Sequence, residues 1–282
     1  MKKIYIISII IVVLSGFLKS CITLRKSDES VIKNFKKENQ VPEIFHDNYD
    51  GVSIRYISDK PIDKTLPTII FVHGAPGSSD NFYKHLQDLD FREKANLVSV
   101  DRLGYGYSNY GKAEISIEKQ AKMIDYVAQK YNHKKIILVG WSYGGPIIGK
   151  MAIDNPSYAH LVMIAPAVSA DDEKLFWFGN FAKWKATKWM SPKPFVVAEN
   201  EKLSHAKELK KIEPEWKKLK TPVSYFHGTK DGLVTYKNMA FMKRNMDKKY
   251  LKTYTIEGGN HTIIFDNYDF IKKKILKVVN AL

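Results

Sequence analysis

Apolar and polar residues are arranged along the chain as short strand-like runs separated by longer helix-like stretches. Several runs are continuously apolar, as strands buried on both faces of a parallel sheet are. Seven strands are predicted, at Val52–Ile57, Thr68–His73, Asn96–Asp101, Lys135–Gly140, Leu161–Ala165, Val223–His227 and Lys252–Glu257. This alternation predicts an α/β domain with a mostly parallel central sheet and helices on both of its faces.

Four helices are predicted between and after these strands. The clearest begins after Ser116, a residue type that caps helix N-termini, and runs to about Tyr131 with Ile117, Ala121 and Ile124 at helical spacing. The other three are expected at Gly144–Asp154, Tyr236–Met246 and Asn267–Leu282.

One segment, at residues 171–220, interrupts the alternation. It contains four of the five tryptophans, which are Trp177, Trp184, Trp189 and Trp216. A structureless loop of this length is unusual, so we expect short helices that form a lid inserted after strand six. The remaining residues 49–170 and 221–282 are predicted to form the core.

The N-terminus is predicted to be an export signal at residues 1–21. Two lysines precede the apolar run Ile4–Leu18, which is shorter than the roughly 20 residues that span a bilayer. The only cysteine, Cys21, follows this run and resembles the lipidated cysteine of a bacterial lipoprotein signal. We therefore expect an exported, membrane-anchored lipoprotein facing the periplasm or the cell exterior. Because Lys19 departs from that signal, an ordinary signal peptide or an uncleaved anchor remains an alternative.

Residues 22–48 are polar and of mixed charge, which predicts a tether between the N-terminal signal and the folded core.

Composition and charge exclude some partners. The chain has 282 residues, of which 44% are hydrophobic and 27% charged, as in one main globular domain. Its net charge of +15 comes from scattered lysines with no long basic run, which argues against a nucleic-acid-binding arm. A basic surface of this kind is compatible with contact to anionic lipids, although lysine-rich solvated faces are the commoner explanation.

The strongest chemical signal is the sequence GWSYGG at positions 140–145, which has the form G-x-S-x-G. It lies between an apolar strand and a helix-like run, as a nucleophile elbow does. The glycines are needed because the turn is tight and side chains at the flanking positions collide. Ser142 is therefore predicted to be the nucleophile.

A serine nucleophile needs a base and a third group that orients the base. Asp231 and His261 follow the last two predicted strands, in the chain order expected after an elbow serine. Both therefore lie at carboxyl ends of strands, where open α/β sheets bind ligands. His227 is a second choice for the base, and Asp171 or Asp172 for the acid.

An oxyanion hole is predicted from two backbone amides. The sequence HGAPG at positions 73–77 follows a buried strand and presents the N–H of Ala75, while Tyr143 follows the nucleophile.

The glycine-rich sequence DRLGYGYS at positions 101–108 lacks the features of phosphate-binding loops and is interpreted as a structural loop beside the pocket. The sequence has no cluster of Cys and His, so no metal site is predicted.

Taken together, the motifs HGAPGSS, DRLGYGYS, GWSYGG, GTKDGLV and GGNH resemble the α/β-hydrolase family from about residue 50 onward. They look most like the branch with a helical cap between strands six and seven, which includes carboxylesterases, prolyl aminopeptidase-like enzymes, carbon-carbon bond hydrolases and cofactor-free haloperoxidases. The resemblance implies a triad of Ser142, Asp231 and His261, an oxyanion hole at Ala75 and Tyr143, and no cofactor. Dehalogenases and epoxide hydrolases of this fold carry an aspartate in place of Ser142.

The expected activity is hydrolysis of a small carboxylic ester through an acyl-enzyme. A prolyl aminopeptidase-like activity on peptides is the first alternative, although such enzymes usually have glycine in place of Ala75 and need acids in the cap, for which Glu173, Glu199 and Glu201 are candidates. An exported binding protein that uses the fold as a scaffold is an alternative of another class.

Overall fold

The computed structural model describes residues 23–131, 135–174 and 191–282. Within these ranges, the strands are β1 Glu43–Tyr49, β2 Val52–Ser58, β3 Thr68–Val72, β4 Asn96–Val100, β5 Ile136–Trp141, β6 His160–Ile164, β7 Val223–Gly228 and β8 Leu251–Ile256. They form one eight-stranded sheet in the order β1-β2-β4-β3-β5-β6-β7-β8. Strand β2 is antiparallel to both of its neighbours, and the other neighbouring pairs are parallel. The predicted mostly parallel sheet is confirmed.

The helices of the described ranges are α1 Asp28–Lys36, α2 Tyr83–Gln87, α3 Leu89–Lys94, α4 Ile117–Ala128, α5 Gly144–Asp154, α6 Lys193–Ile212, α7 Lys237–Asn245, α8 Ile263–Asp266 and α9 Tyr268–Val279. Short 3₁₀ helices occur at Ser79–Phe82 and Glu213–Lys218. The predicted cap of α4 is present, because the Ser116 hydroxyl accepts a hydrogen bond from the Lys119 N–H over 3.2 Å.

Apolar cores lie on both faces of the sheet. On β3, Ile70 and Val72 belong to one buried cluster, whereas Ile69 and Phe71 belong to the other. Side chains of a strand alternate between faces, so this division means that β3 is covered on both sides. This accounts for the continuously apolar sequence of the strand.

The structure differs from the predicted tether. Residues 28–36 form α1, and both Val31 and Phe35 of this helix are completely buried in the core. Strand β1 follows and pairs with β2 along its whole length. The prediction of a tether over residues 22–48 is therefore wrong for these elements. The reason is that α1 contributes only a narrow apolar stripe and β1 is a half-exposed edge strand, so neither has an apolar run.

The segment between β6 and β7 is helical where it is described. Its described part contains the 20-residue helix α6 and the 3₁₀ helix with the completely buried Trp216. Trp216 packs so closely on α5 that a Cβ added to Gly149 would lie 2.4 Å from its ring. Residues 175–190, which include Trp177, Trp184 and Trp189, lie outside the described ranges.

Cys21 and the whole predicted export signal also lie outside the described residues. In the part of the chain that the structure describes, no helix has the length and apolar character needed to cross a membrane.

Candidate active site

Ser142 lies on a sharp turn between β5 and α5. Its φ is +56°, a left-handed conformation that L-residues other than glycine rarely adopt. A Cβ added to Gly140 would lie 2.5 Å from the Gly144 carbonyl oxygen, and one added to Gly144 would lie 2.3 Å from the Val72 carbonyl oxygen. The turn therefore closes only with glycine at both positions.

His261 and Asp231 are joined by a hydrogen bond. Asp231 follows β7, His261 follows β8, and the distance from His261 Nδ1 to Asp231 Oδ2 is 2.8 Å. The other carboxylate oxygen accepts hydrogen bonds from the N–H groups of Leu233 and Val234 at 2.9 and 2.8 Å. The carboxylate is thus fixed by the turn that carries it and is directed at the imidazole.

The electrostatics of Asp231 favour its charged form. Burial by itself would raise the pKa of this carboxyl, but the hydrogen bonds from His227 and His261 outweigh it and hold the pKa well below the usual 3.8. A permanently charged Asp231 selects the His261 tautomer with a proton on Nδ1, which leaves Nε2 free to accept a proton.

The alternative acids do not contact His261. Asp171 lies on the surface, where it forms an ion pair with Lys210 at 2.7 Å. Asp172 accepts a hydrogen bond from the Ser169 hydroxyl at 2.8 Å. Asp231 is therefore the acid that the fold brings to the histidine.

Ser142 and His261 are near one another in the fold without a direct hydrogen bond. The ring of Trp141, the residue before Ser142, lies 5.6 Å from the imidazole of His261 between centroids. Among the hydrogen bonds of the described residues, none joins the Ser142 hydroxyl to the His261 imidazole. Such contacts are often long in enzymes without substrate and shorten in the reactive complex. The catalytic roles of the three residues stay predictions.

The two predicted oxyanion residues belong to elements that meet at Ser142. Tyr143 immediately precedes α5, so its amide belongs to the N-terminal end of that helix. Ala75 is in the loop after β3, and Gly74 of this loop lies against the nucleophile, since an added Cβ would be 3.0 Å from Ser142 Cβ. The loop and the elbow thus meet at the nucleophile.

Arg102, in the loop interpreted from sequence as structural, makes contacts that the sequence analysis missed. Its guanidinium donates to the carbonyl oxygens of His73 and Gly74 at 3.0 and 3.1 Å, and it lies 4.7 Å from the Tyr143 ring centroid. Glu201 of α6 completes its partners with a bond of 2.7 Å. A buried arginine is rare enough that it signals a specific partner, but the sequence does not say which.

His227, the second choice for the base, is completely buried behind Asp231. Its Nε2 lies 3.0 Å from the Val234 carbonyl oxygen and 3.4 Å from Asp231 Oδ2. Since a carbonyl oxygen only accepts, Nε2 carries a proton and donates it towards this pair of oxygens. His227 therefore supports the acid and has no access to a substrate.

The other histidines divide into groups. Burial lowers the pKa of His85 to about 3 and of His160 to about 4, so both are neutral packing residues. His205 stacks on the ring of Tyr143 with centroids 4.4 Å apart, and its Nδ1 lies 3.1 Å from the Glu173 carboxylate. His133 lies outside the described residues.

Within the described ranges, no three or more His, Cys, Asp or Glu side chains converge as a metal site would require.

Comparison with known proteins identifies the fold. A family model described as the alpha/beta hydrolase fold matches residues 67–188. The 1-acylglycerol-3-phosphate O-acyltransferase of Arabidopsis thaliana is 31% identical over 142 residues, which cover 46% of this chain and 34% of that protein. The chain spans about a third of the length of the curated relatives it matches.

Solved structures are similar over longer stretches. A membrane phospholipase A described as a bacterial virulence factor superposes with a TM-score of 0.67 and 17% identity, covering 100% of both chains. The monoacylglycerol lipase of Paleococcus ferrophilus gives a TM-score of 0.62 with 18% identity, covering 80% of this chain and 98% of the other. At these identities the likeness is one of fold.

The strand order, the left-handed serine between β5 and α5 and the family match agree. The chain therefore has the α/β-hydrolase fold.

Proposed function

We propose that the protein is a serine hydrolase that cleaves small carboxylic esters through an acyl-enzyme. The observation that carries the proposal is the 2.8 Å hydrogen bond between His261 Nδ1 and Asp231 Oδ2, in a fold that also places Ser142 at a left-handed turn. This is the arrangement in which a serine hydroxyl becomes nucleophilic at neutral pH.

In the proposed reaction, His261 Nε2 takes the proton of the Ser142 hydroxyl while Oγ attacks the ester carbonyl carbon. The negative oxygen of the tetrahedral intermediate accepts hydrogen bonds from the N–H groups of Ala75 and Tyr143. The intermediate collapses, the alkoxide leaves with the proton from His261, and Ser142 carries the acyl group. Water, deprotonated by His261, then releases the carboxylic acid.

The ion pairs of Glu173 and Glu201 favour an ester over a free amine as substrate. An aminopeptidase of this fold needs cap carboxylates for the ammonium group. Glu201 is already occupied by Arg102 at 2.7 Å, and Glu173 by Lys202 and by His205. Both carboxylates are thus neutralised within the protein, which supports the ester proposal and weakens the prolyl aminopeptidase alternative.

Fluorophosphonate labelling tests the proposal. Full-length protein in detergent and its Ser142→Ala variant are treated with the probe and then assayed on p-nitrophenyl esters and proline anilides. Labelling that is lost in Ser142→Ala, with turnover of esters, is expected. Turnover of the anilides alone would favour the peptidase, and folded protein that takes no label would favour the non-catalytic binding scaffold.

For location, we propose that the protein is exported and anchored through lipidated Cys21. Thr23 is two positions from Cys21 in the sequence, and its carbonyl oxygen accepts a hydrogen bond from the Tyr110 hydroxyl at 3.2 Å. Arg25 lies over the rings of Tyr107 and Tyr110, at 4.7 and 4.0 Å from their centroids. A lipid on Cys21 would therefore hold the folded domain directly at the membrane surface.

A fatty-acid probe in the producing cells tests this proposal. Wild-type protein is expected to be labelled and to sediment with membranes, whereas a Cys21→Ser variant is expected to remain unlabelled. Labelling of Cys21→Ser equal to that of the wild type would refute lipidation at this residue.

A further inference from the structure

A buried ion pair connects α6 to the loop that follows β4. The guanidinium of Arg102 donates to the two carboxylate oxygens of Glu201 at 2.7 and 3.1 Å, and both side chains are completely buried. The Tyr105 hydroxyl donates to the same carboxylate at 2.6 Å. Helix α6 is therefore fixed to the loop beside the predicted active site by one bidentate contact.

The same guanidinium holds the predicted oxyanion loop. Its Nε donates to the His73 carbonyl oxygen at 3.0 Å and one terminal nitrogen donates to the Gly74 carbonyl oxygen at 3.1 Å. His73 Nδ1 lies 2.7 Å from that Gly74 oxygen, while its Nε2 accepts from the Arg102 N–H at 3.0 Å. The carbonyl of the Gly74–Ala75 peptide is thus held from two directions.

A held carbonyl fixes the opposite side of its peptide. The peptide group is planar, and in the trans form its C=O and N–H point in opposite directions. The orientation of the Gly74 carbonyl therefore sets the direction of the Ala75 N–H, the predicted oxyanion donor. The contact of Gly74 with Ser142 places this donor beside the nucleophile.

Arg102 holds this orientation only if its charge is balanced. A guanidinium buried without a partner is strongly unfavourable, and a bidentate carboxylate both neutralises it and fixes its plane. Burial alone would lower the pKa of Arg102, but Glu201 keeps it raised, so the donor remains charged. Glu201 takes two of the N–H groups and leaves Nε and one terminal N–H for the carbonyls.

We propose that Glu201 is a positioning residue, which acts through Arg102 to orient the Gly74–Ala75 peptide and align the Ala75 N–H for the oxyanion. The inference rests on the proposed serine hydrolase function. On this proposal, the oxyanion hole forms only when α6 is packed onto the core. Helix α6 then contributes to the reaction without touching the reacting atoms.

The test is Glu201→Gln in the full-length protein, which keeps the size of the side chain and removes its charge. We expect kcat for p-nitrophenyl acetate to fall about 10- to 100-fold, less than the loss of an entire oxyanion donor, while KM stays within about threefold. An arylboronic acid forms a tetrahedral adduct with the serine, so its inhibition constant is expected to rise by the same factor.

Glu208→Gln is the matched control. Glu208 lies on the same helix, is similarly buried, and forms its ion pair with Lys211 of that helix. Glu208→Gln is expected to leave kcat and boronate inhibition within about twofold of the wild type, since the partner Lys211 is exposed to solvent and neither residue contacts Arg102. Wild-type kcat and boronate inhibition in Glu201→Gln would overturn the proposal.

A second variant separates positioning from stability, because Glu201→Gln leaves the Arg102 charge buried and destabilises the fold. In Arg102→Met/Glu201→Leu both charges are replaced by apolar groups. The melting temperature is expected to recover to that of the wild type while kcat stays low, since the carbonyl oxygens of His73 and Gly74 have lost the guanidinium. Recovery of kcat together with stability would overturn the proposal.

A measurement that needs no catalytic activity distinguishes a failure of the proposed hydrolase function from a failure of the role of Glu201. Hydrogen–deuterium exchange of a peptide covering residues 71–78 is compared between wild type and Glu201→Gln. Faster exchange in the variant is expected even if the wild type hydrolyses no ester. A lack of ester hydrolysis together with faster exchange would count against the proposed ester activity and not against the role of Glu201. Equal exchange would overturn the role of Glu201.

Discussion

The indole Nε1 of Trp141 donates a hydrogen bond to the backbone carbonyl oxygen of His261 over 3.1 Å. The residue before the predicted nucleophile thereby fastens the loop of the predicted base, across 120 positions of sequence. The indole also packs edge-on against Phe265 at 5.3 Å. The relative position of Ser142 and His261 is therefore set partly by this one side chain.

Trp141→Phe is expected to lower kcat about two- to tenfold, the loss that corresponds to one hydrogen bond of 0.5–1.5 kcal/mol. The phenyl ring keeps much of the packing on His261 but no longer holds its carbonyl. The measurement is kcat on a saturating p-nitrophenyl ester. The control is Phe265→Leu, which alters the ring contact and leaves the hydrogen bond. Its kcat is expected to stay within about twofold of the wild type. An equal loss of kcat in both variants would mean that ring packing, and not the hydrogen bond, causes the effect.

Asp231→Asn is expected to lower kcat about 10⁴-fold, because an amide stabilises the wrong tautomer of His261. The stability difference between wild type and variant also depends on pH, in a direction that the pKa of Asp231 fixes. The pKa of Asp231 is depressed in the folded state, so its contribution is present above the usual value of 3.8 and is lost as the pH falls below it. Thermal melts should therefore show a gap between wild type and variant at pH 7 that narrows towards pH 3. A constant gap would contradict the depressed pKa.

His227→Phe removes one of the two side chains that donate towards Asp231 Oδ2. The pKa of Asp231 then moves up towards its usual value, so the variant should unfold at a higher pH than the wild type on acid titration. We also expect kcat to fall about tenfold, since the carboxylate loses a support on its buried side. Acid unfolding followed by circular dichroism checks the first result; His227→Gln retains a donor and is expected to restore part of the effect.

Much of the site was predictable from sequence because each catalytic candidate lies within a few residues of the end of a predicted strand. Ser142, Asp231 and His261 come after β5, β7 and β8, and the predicted ends of these strands, Gly140, His227 and Glu257, are each about one residue from the observed ones. The Arg102–Glu201 pair was not predictable. Its members are 99 residues apart, and charged residues are expected at the surface unless the fold itself supplies a partner.

Asp59→Asn is expected to stabilise the protein at neutral pH. The carboxyl is completely buried beside Arg92, and burial raises its pKa to about 6 despite the hydrogen bond from the Leu97 N–H. For an acid with a raised pKa, stability is full below the unfolded value of 3.8 and is lost as the pH rises through about 6. The loss is on the order of 3 kcal/mol above pH 7, by the conversion of 1.36 kcal/mol for each pKa unit.

The melting temperature of Asp59→Asn should therefore exceed that of the wild type at pH 7.5, and the advantage should shrink to about 1 kcal/mol at pH 4.5. Asp63→Asn is the control, and its effect on stability at pH 7.5 is expected to have the opposite sign. Hydrogen bonds from Thr65 lower the pKa of Asp63, so its charged form stabilises the fold. A variant at Asp59 that is less stable at both pH values would mean that the contact with Arg92 outweighs the burial of the charge.

Phe35→Ala tests whether α1 belongs to the folded core. Phe35 is completely buried and its ring meets that of Tyr83 edge-on at 5.6 Å, whereas Ile32 of the same helix is 37% exposed. Removing a buried aromatic ring costs about 3–5 kcal/mol, so Phe35→Ala should unfold at a much lower urea concentration. Ile32→Ala is expected to change stability by less than about 1 kcal/mol. A helix that packs on the core loses free energy of unfolding when its buried side chain is removed. Equal, small effects of both substitutions would therefore mean that residues 28–36 act as the tether predicted from their polar sequence.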